Sequence, residues 1–193
     1  MSRPKLILIA GGIGSGKSVV SNILRKLGYQ VYDCDSQAKI LINITPSIHS
    51  QLCNQIHPLA VENGIVNRPL IAKIVFNDSD ALRRLNNITH QAVISDIHKW
   101  IAMFHAETHL FIETAIPVTS GIYNMVDETW QVEAPLDVRI HRVQQRSNLT
   151  ATQIQARIAS QSADILPQHT PNLHTINNHP STPLLPQIHT LLQ

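Results

Sequence analysis

The hydrophobic pattern of the chain begins with a short, continuous apolar run, Leu6–Ala10, which is typical of a buried parallel strand. Apolar residues then recur at the spacing of one helix face, at Val19, Val20, Ile23, Leu24 and Leu27. Gly28 follows and predicts a left-handed end for this helix. Later apolar runs predict four further strands, at Tyr29–Tyr32, Leu110–Glu113, Thr129–Val132 and His174–Asn177, before a final helix over Leu184–Leu192. The sequence therefore predicts an α/β fold with five strands and flanking helices.

The segment between the second and third predicted strands has a helical pattern from Thr45 to Phe104. Two predicted helices start at Pro46 and Pro69, with a turn at Glu62–Gly64 between them. Two further predicted helices cover Ala81–Asn87 and Thr89–Phe104. The block is too long for a simple crossover between parallel strands. We therefore expect one domain over residues 1–193, with a core of about 1–45 and 107–193 and an inserted helical subdomain of about 46–106.

The motif G-x-x-x-x-G-K-S, from Gly11 to Ser18, stands between the first strand and the first helix and predicts a phosphate-binding P-loop. Its glycines allow positive φ and a close approach of the backbone to phosphate, while the loop N–H groups and the helix N-terminus attract anions. Lys17 supplies a charge to the β- and γ-phosphates, and Ser18 offers a hydroxyl to Mg²⁺. A Rossmann motif is excluded because Lys17 occupies its third glycine position.

The composition of the chain limits which binding partners and which cellular compartment are expected. The chain has 193 residues, of which 43% are hydrophobic and only 15% charged, and its net charge of +2 argues against a nucleic-acid partner. No segment is long and apolar enough for a membrane span, and Cys34 and Cys53 do not suggest a disulfide framework. We expect a cytoplasmic protein that does not bind membranes and that is a monomer or a weak homo-oligomer.

Two predicted strands end in acidic residues. Asp33 follows the second strand and is expected at the rim where ligands bind in open α/β sheets, although it could instead cap the helix at Ser36–Ile42. Asp35 suits that cap better, which favours a functional role for Asp33. Glu113 ends the third strand and is either a carboxylate near Mg²⁺ or a surface residue.

Arginines cluster after the fourth predicted strand, at Arg139, Arg142, Arg146 and Arg157. Arg142 and Arg146 lie four residues apart, so on a helix they share a face and repel each other unless an anion lies between them. They are either a clamp for a transferring phosphoryl group or part of a solvated helix.

Several motifs together resemble the dephospho-CoA kinases, which phosphorylate a ribose 3′-hydroxyl in the last step of coenzyme A synthesis. The P-loop is one, and Val31–Asp35 is similar to the family's V-I-D-A-D. The remaining matches are Asn67–Leu70 with Val75-Phe76, Ile88–His90, and the lid pattern of Ala134-Pro135, Arg142, Gln145-Arg146, Leu149-Thr150, Ala156–Ile158 and Gln161.

The resemblance implies a P-loop kinase core with a five-stranded parallel sheet and flanking helices, a helical substrate subdomain and a lid at about 137–162. It also implies that the protein uses ATP and Mg²⁺, with dephospho-CoA as its small-molecule substrate. It implies that Asp33 is the catalytic base and that Lys17 and the lid arginines Arg142 and Arg146 are also catalytic. It further implies that Asp33, Arg68 and His90 help to bind the substrate. The expected nucleotide-binding residues are Gly12, Ile13, Gly14, Ser15, Gly16, Lys17, Ser18 and Val19. Ser18 is also the expected metal-binding residue.

The sequence departs from the family pattern at four positions and in the tail after Gln161, which is rich in proline and histidine from Leu166 onward. Val19 replaces a threonine, Gln91 a proline, Thr119 the acid of an L-L-F-E stretch, and Ser147 an aspartate. Two alternatives therefore stay open beside a dephospho-CoA kinase. They are a P-loop kinase for another small alcohol or nucleoside, and a nucleotide-binding relative with little catalysis.

Overall fold

The computed structural model describes residues 3–105, 108–147, 149–167, 170 and 172–193, so residues 168, 169 and 171 of the proline- and histidine-rich C-terminal stretch lie outside it. The chain divides into two compact units, one formed by Met1–Asp33 with Phe104–Gln193 and the other by Cys34–Met103.

The elements follow one another in this order along the chain: β1 (Lys5–Ala10), α1 (Lys17–Lys26), β2 (Gln30–Asp33), α2 (Cys34–Ile44), α3 (Pro46–Gln55), β3 (Val61–Glu62), β4 (Ile65–Val66), α4 (Arg68–Asn77), α5 (Ser79–Ile101), β5 (His109–Glu113), β6 (Glu128–Glu133), α6 (Leu136–Arg146), α7 (Ala151–Ala159), β7 (Leu173–Asn177) and α8 (Leu184–Leu191). Two 3₁₀ helices, Ile122–Met125 and Ser160–Asp164, supplement them.

The first unit is built on a five-stranded sheet of order β2-β5-β1-β6-β7. All four pairings are parallel, so the carboxyl ends of the strands meet at one edge. The α/β fold predicted from the apolar runs is confirmed, and so is the five-stranded parallel sheet that the family resemblance implies. Gly28 has φ +92°, as expected for the residue that turns the chain after α1.

The core of the first unit lies on the sheet face that packs against α1 and α8. Its buried members include Ile9 of β1, Leu24 of α1 and Ile188 of α8. The rings of Phe111 and Trp130 meet edge-on there, with centroids 5.1 Å apart. This packing holds the ends of β1 and β5 in place, because both strands are almost wholly buried.

The second unit consists of α2, α3, the β3–β4 hairpin, α4 and α5 around a separate apolar core of Ile48, Leu52, Ala60, Ile71 and Ile88. The Asn67 side chain caps α4, and Asp78 caps α5 through two backbone N–H groups.

Three local predictions for the second unit are wrong. The two helical stretches predicted at Ala81–Asn87 and Thr89–Phe104 are one continuous helix, α5. Asp35 lies in the first turn of α2, which begins at Cys34, and therefore does not precede that helix as a cap. Asp33 is the residue directly before the helix, so the capping argument that favoured a functional role for Asp33 does not hold. The segment predicted to be helical also contains the short β3–β4 hairpin, whose turn has positive φ at both Asn63 and Gly64.

Within the residues that the structure describes, no helix has both the length and the apolar content needed to cross a membrane.

Candidate active site

The P-loop has the backbone that its glycines predict. Gly14 and Gly16 have φ of +79° and +100°, a region that other residues rarely adopt. A Cβ on Gly14 would come within 2.6 Å of the Arg139 carbonyl oxygen, and one on Gly16 would collide with Nδ2 of Asn178. The loop is therefore enclosed by distant parts of the chain, and its shape depends on having no side chain at these positions.

The loop leads directly into α1, which begins at Lys17 and has no side-chain cap at Gly16. Its first N–H groups and the positive end of the helix dipole are therefore directed toward an anion. The Lys17 Nζ donates a hydrogen bond of 2.7 Å to the Gly11 carbonyl and so folds back along the loop. This arrangement suits a phosphate group.

Two of the acidic residues singled out in the sequence lie side by side at the carboxyl edge of the sheet. In the parallel register Asp33 is paired with Glu113, and Glu113 is paired with Ile9 of β1. Glu113 is buried, and its Oε1 accepts a hydrogen bond of 3.0 Å from the Ser18 hydroxyl. Glu113 is therefore not a surface residue, and its carboxylate faces the P-loop.

The Ser18 hydroxyl and the carboxylates beside it are hard oxygen ligands of the type that Mg²⁺ takes in proteins, usually with several waters. Among the residues that the structure describes, no group of three or more histidine, cysteine, aspartate and glutamate side chains forms a metal cage. The donor set thus fits a cation that is completed by phosphates and water rather than one that is held wholly by protein.

Arginines of α6 contact the P-loop from outside. The Arg139 Nε donates to the Ile13 carbonyl at 2.9 Å, and burial lowers the pKa of Arg139, which still stays charged at neutral pH. Arg142 donates to the backbone carbonyls of Ser15, at 3.5 Å, and Asn178, at 3.0 Å. Arg146 is exposed and makes no hydrogen bond or ion pair with any residue of the described ranges. Arg139 and Arg142 therefore contact the P-loop, whereas Arg146 is exposed to solvent.

One residue that holds the loop, Asn178, is not among those predicted from the sequence. It follows β7, is buried, and donates from Nδ2 to the Ser15 carbonyl at 2.8 Å. Its own N–H donates to the Glu133 carbonyl at the end of β6. The only local signal was its position just after a predicted strand, which is the rim where ligands bind in such sheets.

Beside Gly11 and Gly12 lies a cavity of about 270 Å³. Gln131 and Arg139 line it, together with Gln161 and Asp164 of the 3₁₀ helix that follows α7. The Gln131 Oε1 is buried without a hydrogen-bond partner among the described residues. The cavity thus offers polar groups next to the start of the phosphate loop.

Of the three residues predicted to bind substrate, Asp33 lies in the first unit and Arg68 and His90 lie in the second. Arg68, at the start of α4, donates from Nη2 to the Asn43 side chain at 3.0 Å. His90 is half-buried on α5, and its neighbour Gln91 lines a cavity of about 270 Å³ between α2, α3 and α5.

A P-loop at the end of the central strand of a parallel sheet, backed by a carboxylate and contacted by arginines of a following helix, defines a P-loop kinase. Comparison with known proteins then gives the family. The profile described as dephospho-CoA kinase matches residues 5–178, and the chain belongs to the dephospho-CoA kinase family.

Relatives of this family match over nearly the whole chain. The dephospho-CoA kinase of Porphyromonas gingivalis is 36% identical over 185 residues, which cover 96% of this chain and 91% of the relative. That of Bacteroides fragilis is 34% identical and covers 95% of this chain and 89% of the relative.

Solved structures agree with the fold. A crystal structure from Thermus thermophilus has a TM-score of 0.79 and 29% identity, and the match covers 99% of this chain and 95% of that one. The dephospho-CoA kinase from Campylobacter jejuni has a TM-score of 0.66 at 22% identity, covering 97% of this chain and 94% of that one, which supports the fold alone. The chain is thus a kinase, a transferase that uses a nucleotide and a small-molecule substrate.

Proposed function

We propose that the protein transfers the γ-phosphoryl group of ATP to the ribose 3′-hydroxyl of dephospho-CoA, giving coenzyme A in the last step of its biosynthesis. Family membership supports the reaction. The observation that carries the proposal is the placement of Asp33 and Glu113 in register at the sheet edge, with Glu113 bonded to Ser18 of the P-loop.

In this proposal the P-loop and the start of α1, residues Gly12–Val19, bind the phosphates of ATP. The donors are the Lys17 ammonium and the loop N–H groups that are not bonded within the protein. The Ile13 N–H is not among them, because it donates to Oε1 of Gln161. Asp33 accepts the proton of the 3′-hydroxyl as the acceptor oxygen bonds to the γ-phosphorus. The bond between the γ-phosphorus and the bridging oxygen breaks, and ADP leaves. The base need not be strong, because a loose transition state leaves the proton on the hydroxyl until late.

Ser18 and Glu113 would hold Mg²⁺, which supplies charge neutralisation on the β- and γ-phosphates when it is bound. The residues fit this role because the hydroxyl and the carboxylate are already 3.0 Å apart. Glu113 also keeps the Ser18 hydroxyl oriented toward the carboxyl edge of the sheet.

We further propose that residues 137–162 form the lid, with Arg142 and Arg146 as its arginines. Arg142 stabilises the loop through the Ser15 carbonyl, and the exposed Arg146 is available to the transferring group. Arg68 and His90 help to bind dephospho-CoA in the helical subdomain of about 46–106.

The alternative of a nucleotide-binding relative with little catalysis rests on Thr119, where the family has an acid, and on the tail after Gln161. The family profile extends to residue 178, so part of that tail matches the family. The Asp164 Oδ1 accepts a hydrogen bond of 2.8 Å from the Thr119 N–H. A carboxylate from another part of the chain thus contacts this loop, and the acceptor assay described next distinguishes a kinase from the nucleotide-binding alternative.

The test is ADP release by the purified protein with Mg²⁺·ATP and a panel of alcohols that includes dephospho-CoA, nucleosides and shikimate-like acceptors. We expect dephospho-CoA to be the preferred acceptor, with the new phosphate on the 3′-oxygen by mass spectrometry and NMR. Lys17→Ala is the control. It should keep its circular dichroism spectrum and lose nucleotide-dependent turnover, because Lys17 contributes charge rather than core packing. Binding of ATP without transfer to any acceptor would instead support the nucleotide-binding alternative.

A further inference from the structure

One residue of the phosphate loop, Ile13, is held through both of its backbone polar groups by the lid. Arg139, near the start of the lid, donates from Nε to the Ile13 carbonyl at 2.9 Å. Gln161, near the end of the lid, accepts a hydrogen bond of 2.8 Å at Oε1 from the Ile13 N–H. Arg139 lies on α6 and Gln161 follows α7, yet both are hydrogen-bonded to the same residue of the loop.

The contact of Gln161 has a defined polarity. Because the Ile13 N–H can only donate, the amide oxygen of Gln161 must face it and the amide nitrogen must face away. The loop N–H at this position is therefore bonded to an uncharged acceptor of the protein. A neutral acceptor can hold the lid on the loop without adding a negative charge beside the phosphates.

A second contact fixes the same end of the lid. Asp164, three residues after Gln161, accepts the Thr119 N–H at 2.8 Å in the loop that follows β5. The C-terminal end of the lid is thus tied to the loops after two neighbouring strands, β1 and β5. The Asp164 contact orients the 3₁₀ helix, and the Gln161 contact joins it to the P-loop.

We propose that Gln161 is a positioning residue that docks the C-terminal end of the lid on the P-loop at the Ile13 N–H, so that Arg139 and Arg142 at the other end stay in register with the loop. The expected effect of Gln161 on catalysis rests on the proposed function. Its structural part, lid docking, stands without any substrate. Loss of such positioning lowers turnover because small displacements of groups around the reacting atoms reduce the rate by up to about 10²-fold.

The experiment compares three variants of the full chain. Gln161→Leu removes the acceptor, Gln161→Glu keeps an acceptor of the same length but adds a charge, and Gln155→Leu is the matched control. Gln155 lies on α7 of the same lid, is exposed, and makes no hydrogen bond to any residue that the structure describes. Hydrogen exchange over residues 136–159 reports docking in the nucleotide-free protein, and steady-state kinetics with ATP and dephospho-CoA reports positioning.

We expect Gln161→Leu to exchange faster across the lid and to lose about 10- to 100-fold in kcat with a KM for ATP within about threefold of wild type. Gln161→Glu should keep slow exchange and still lose kcat, because its charge repels the γ-phosphate. Gln155→Leu should match wild type in both measurements.

Exchange in Gln161→Leu as slow as in Gln155→Leu, or lid exchange in Gln161→Glu as fast as in Gln161→Leu, would overturn the docking contact. An unchanged kcat in a Gln161→Leu protein whose lid exchanges fast would overturn the positioning role. If wild type phosphorylates no acceptor, the proposed function fails, while the exchange data still decide whether Gln161 docks the lid.

Discussion

The Ser18 hydroxyl of the P-loop donates a hydrogen bond of 3.0 Å to Oε1 of Glu113, which is buried at the end of β5. This contact joins the phosphate-binding loop to the neighbouring strand of the sheet. Because β5 is also paired with β2, the same strand end places Glu113 beside Asp33. One hydroxyl and two carboxylates therefore share the edge where the γ-phosphate and its cation are proposed to lie.

Glu113→Gln tests the metal role. The amide oxygen of the variant still accepts a hydrogen bond from the Ser18 hydroxyl, but the side chain lacks the charge that attracts Mg²⁺. We expect kcat to fall by about 10- to 100-fold, the usual cost of losing a partner of a metal ligand, and the Mg²⁺ concentration for half-maximal rate to rise. Glu133→Gln, at the exposed end of β6, is the control and should change neither. An unaltered Mg²⁺ dependence in Glu113→Gln would argue that Glu113 only supports the fold.

Asp33→Asn tests the proposed base. The amide keeps the shape of the carboxylate but cannot accept the hydroxyl proton, so transfer should fall by roughly 10²–10⁴. Calorimetric binding of Mg²⁺·ATP and of dephospho-CoA should stay close to wild type. Asp35→Asn, two residues further and exposed on α2, serves as the control in the same single-turnover assay. Undiminished transfer in Asp33→Asn would remove this carboxylate from the mechanism.

Arg146→Ala tests whether the outward-facing lid arginine acts in the transition state. Arg146 is exposed, so the melting temperature should stay unchanged. An arginine that contacts a transferring phosphoryl group is worth about 10³–10⁵ in rate, and kcat should therefore fall much more than the KM for ATP rises. A rise in KM alone would make Arg146 a ground-state contact.

Acid stability should depend on Glu128. Its burial by itself raises the pKa of the carboxyl, but hydrogen bonds from Lys5 and Trp130 outweigh this, and the pKa of Glu128 lies below its ordinary value. Between the folded and unfolded pKa values the unfolded chain binds more protons, so stability rises with pH there. The stabilisation that Glu128 provides is fully present above the pKa of about 4.3 that it has in the unfolded chain. It is lost as the pH falls through the lower pKa of the folded protein.

Urea unfolding of wild type and Glu128→Gln between neutral pH and pH ~3 measures this dependence. The variant should lose about 1–3 kcal/mol at neutral pH, because a charged hydrogen-bond acceptor is removed, and should show a shallower loss on acidification. Glu133→Gln provides the exposed comparison and should follow wild type. If the free energy of unfolding fell equally with pH in wild type and Glu128→Gln, Glu128 would not be the carboxylate that causes this acid dependence.

The sequence alone determined the features that contiguous residues decide. An apolar strand, a glycine-rich loop and a helix with one apolar face follow directly from the order of residues between Leu6 and Leu27, and β1, the P-loop and α1 form there. The acid at the end of β5 was also recognisable, because strand ends are defined by where the apolar run stops. Its role stayed open, since the partner hydroxyl lies 95 residues away.

Tertiary packing decided what local patterns left ambiguous. α5 continues through the polar pair at residues 86 and 87 because Ile88 is buried in the core of the second unit and keeps the helix in register. Strands of two residues are too short to show a period, so the β3–β4 hairpin was visible only as its turn.

The surroundings of the P-loop depend most on the tertiary structure. The Ser15 carbonyl is bonded to Asn178, 163 residues further along the chain, and the Ile13 N–H to Gln161, 148 residues further. The sequence specifies the loop because its glycines and lysine are adjacent and their conformational preferences are local. It does not specify which distant side chains meet the loop, because the order of strands in the sheet and the docking of the lid bring them there.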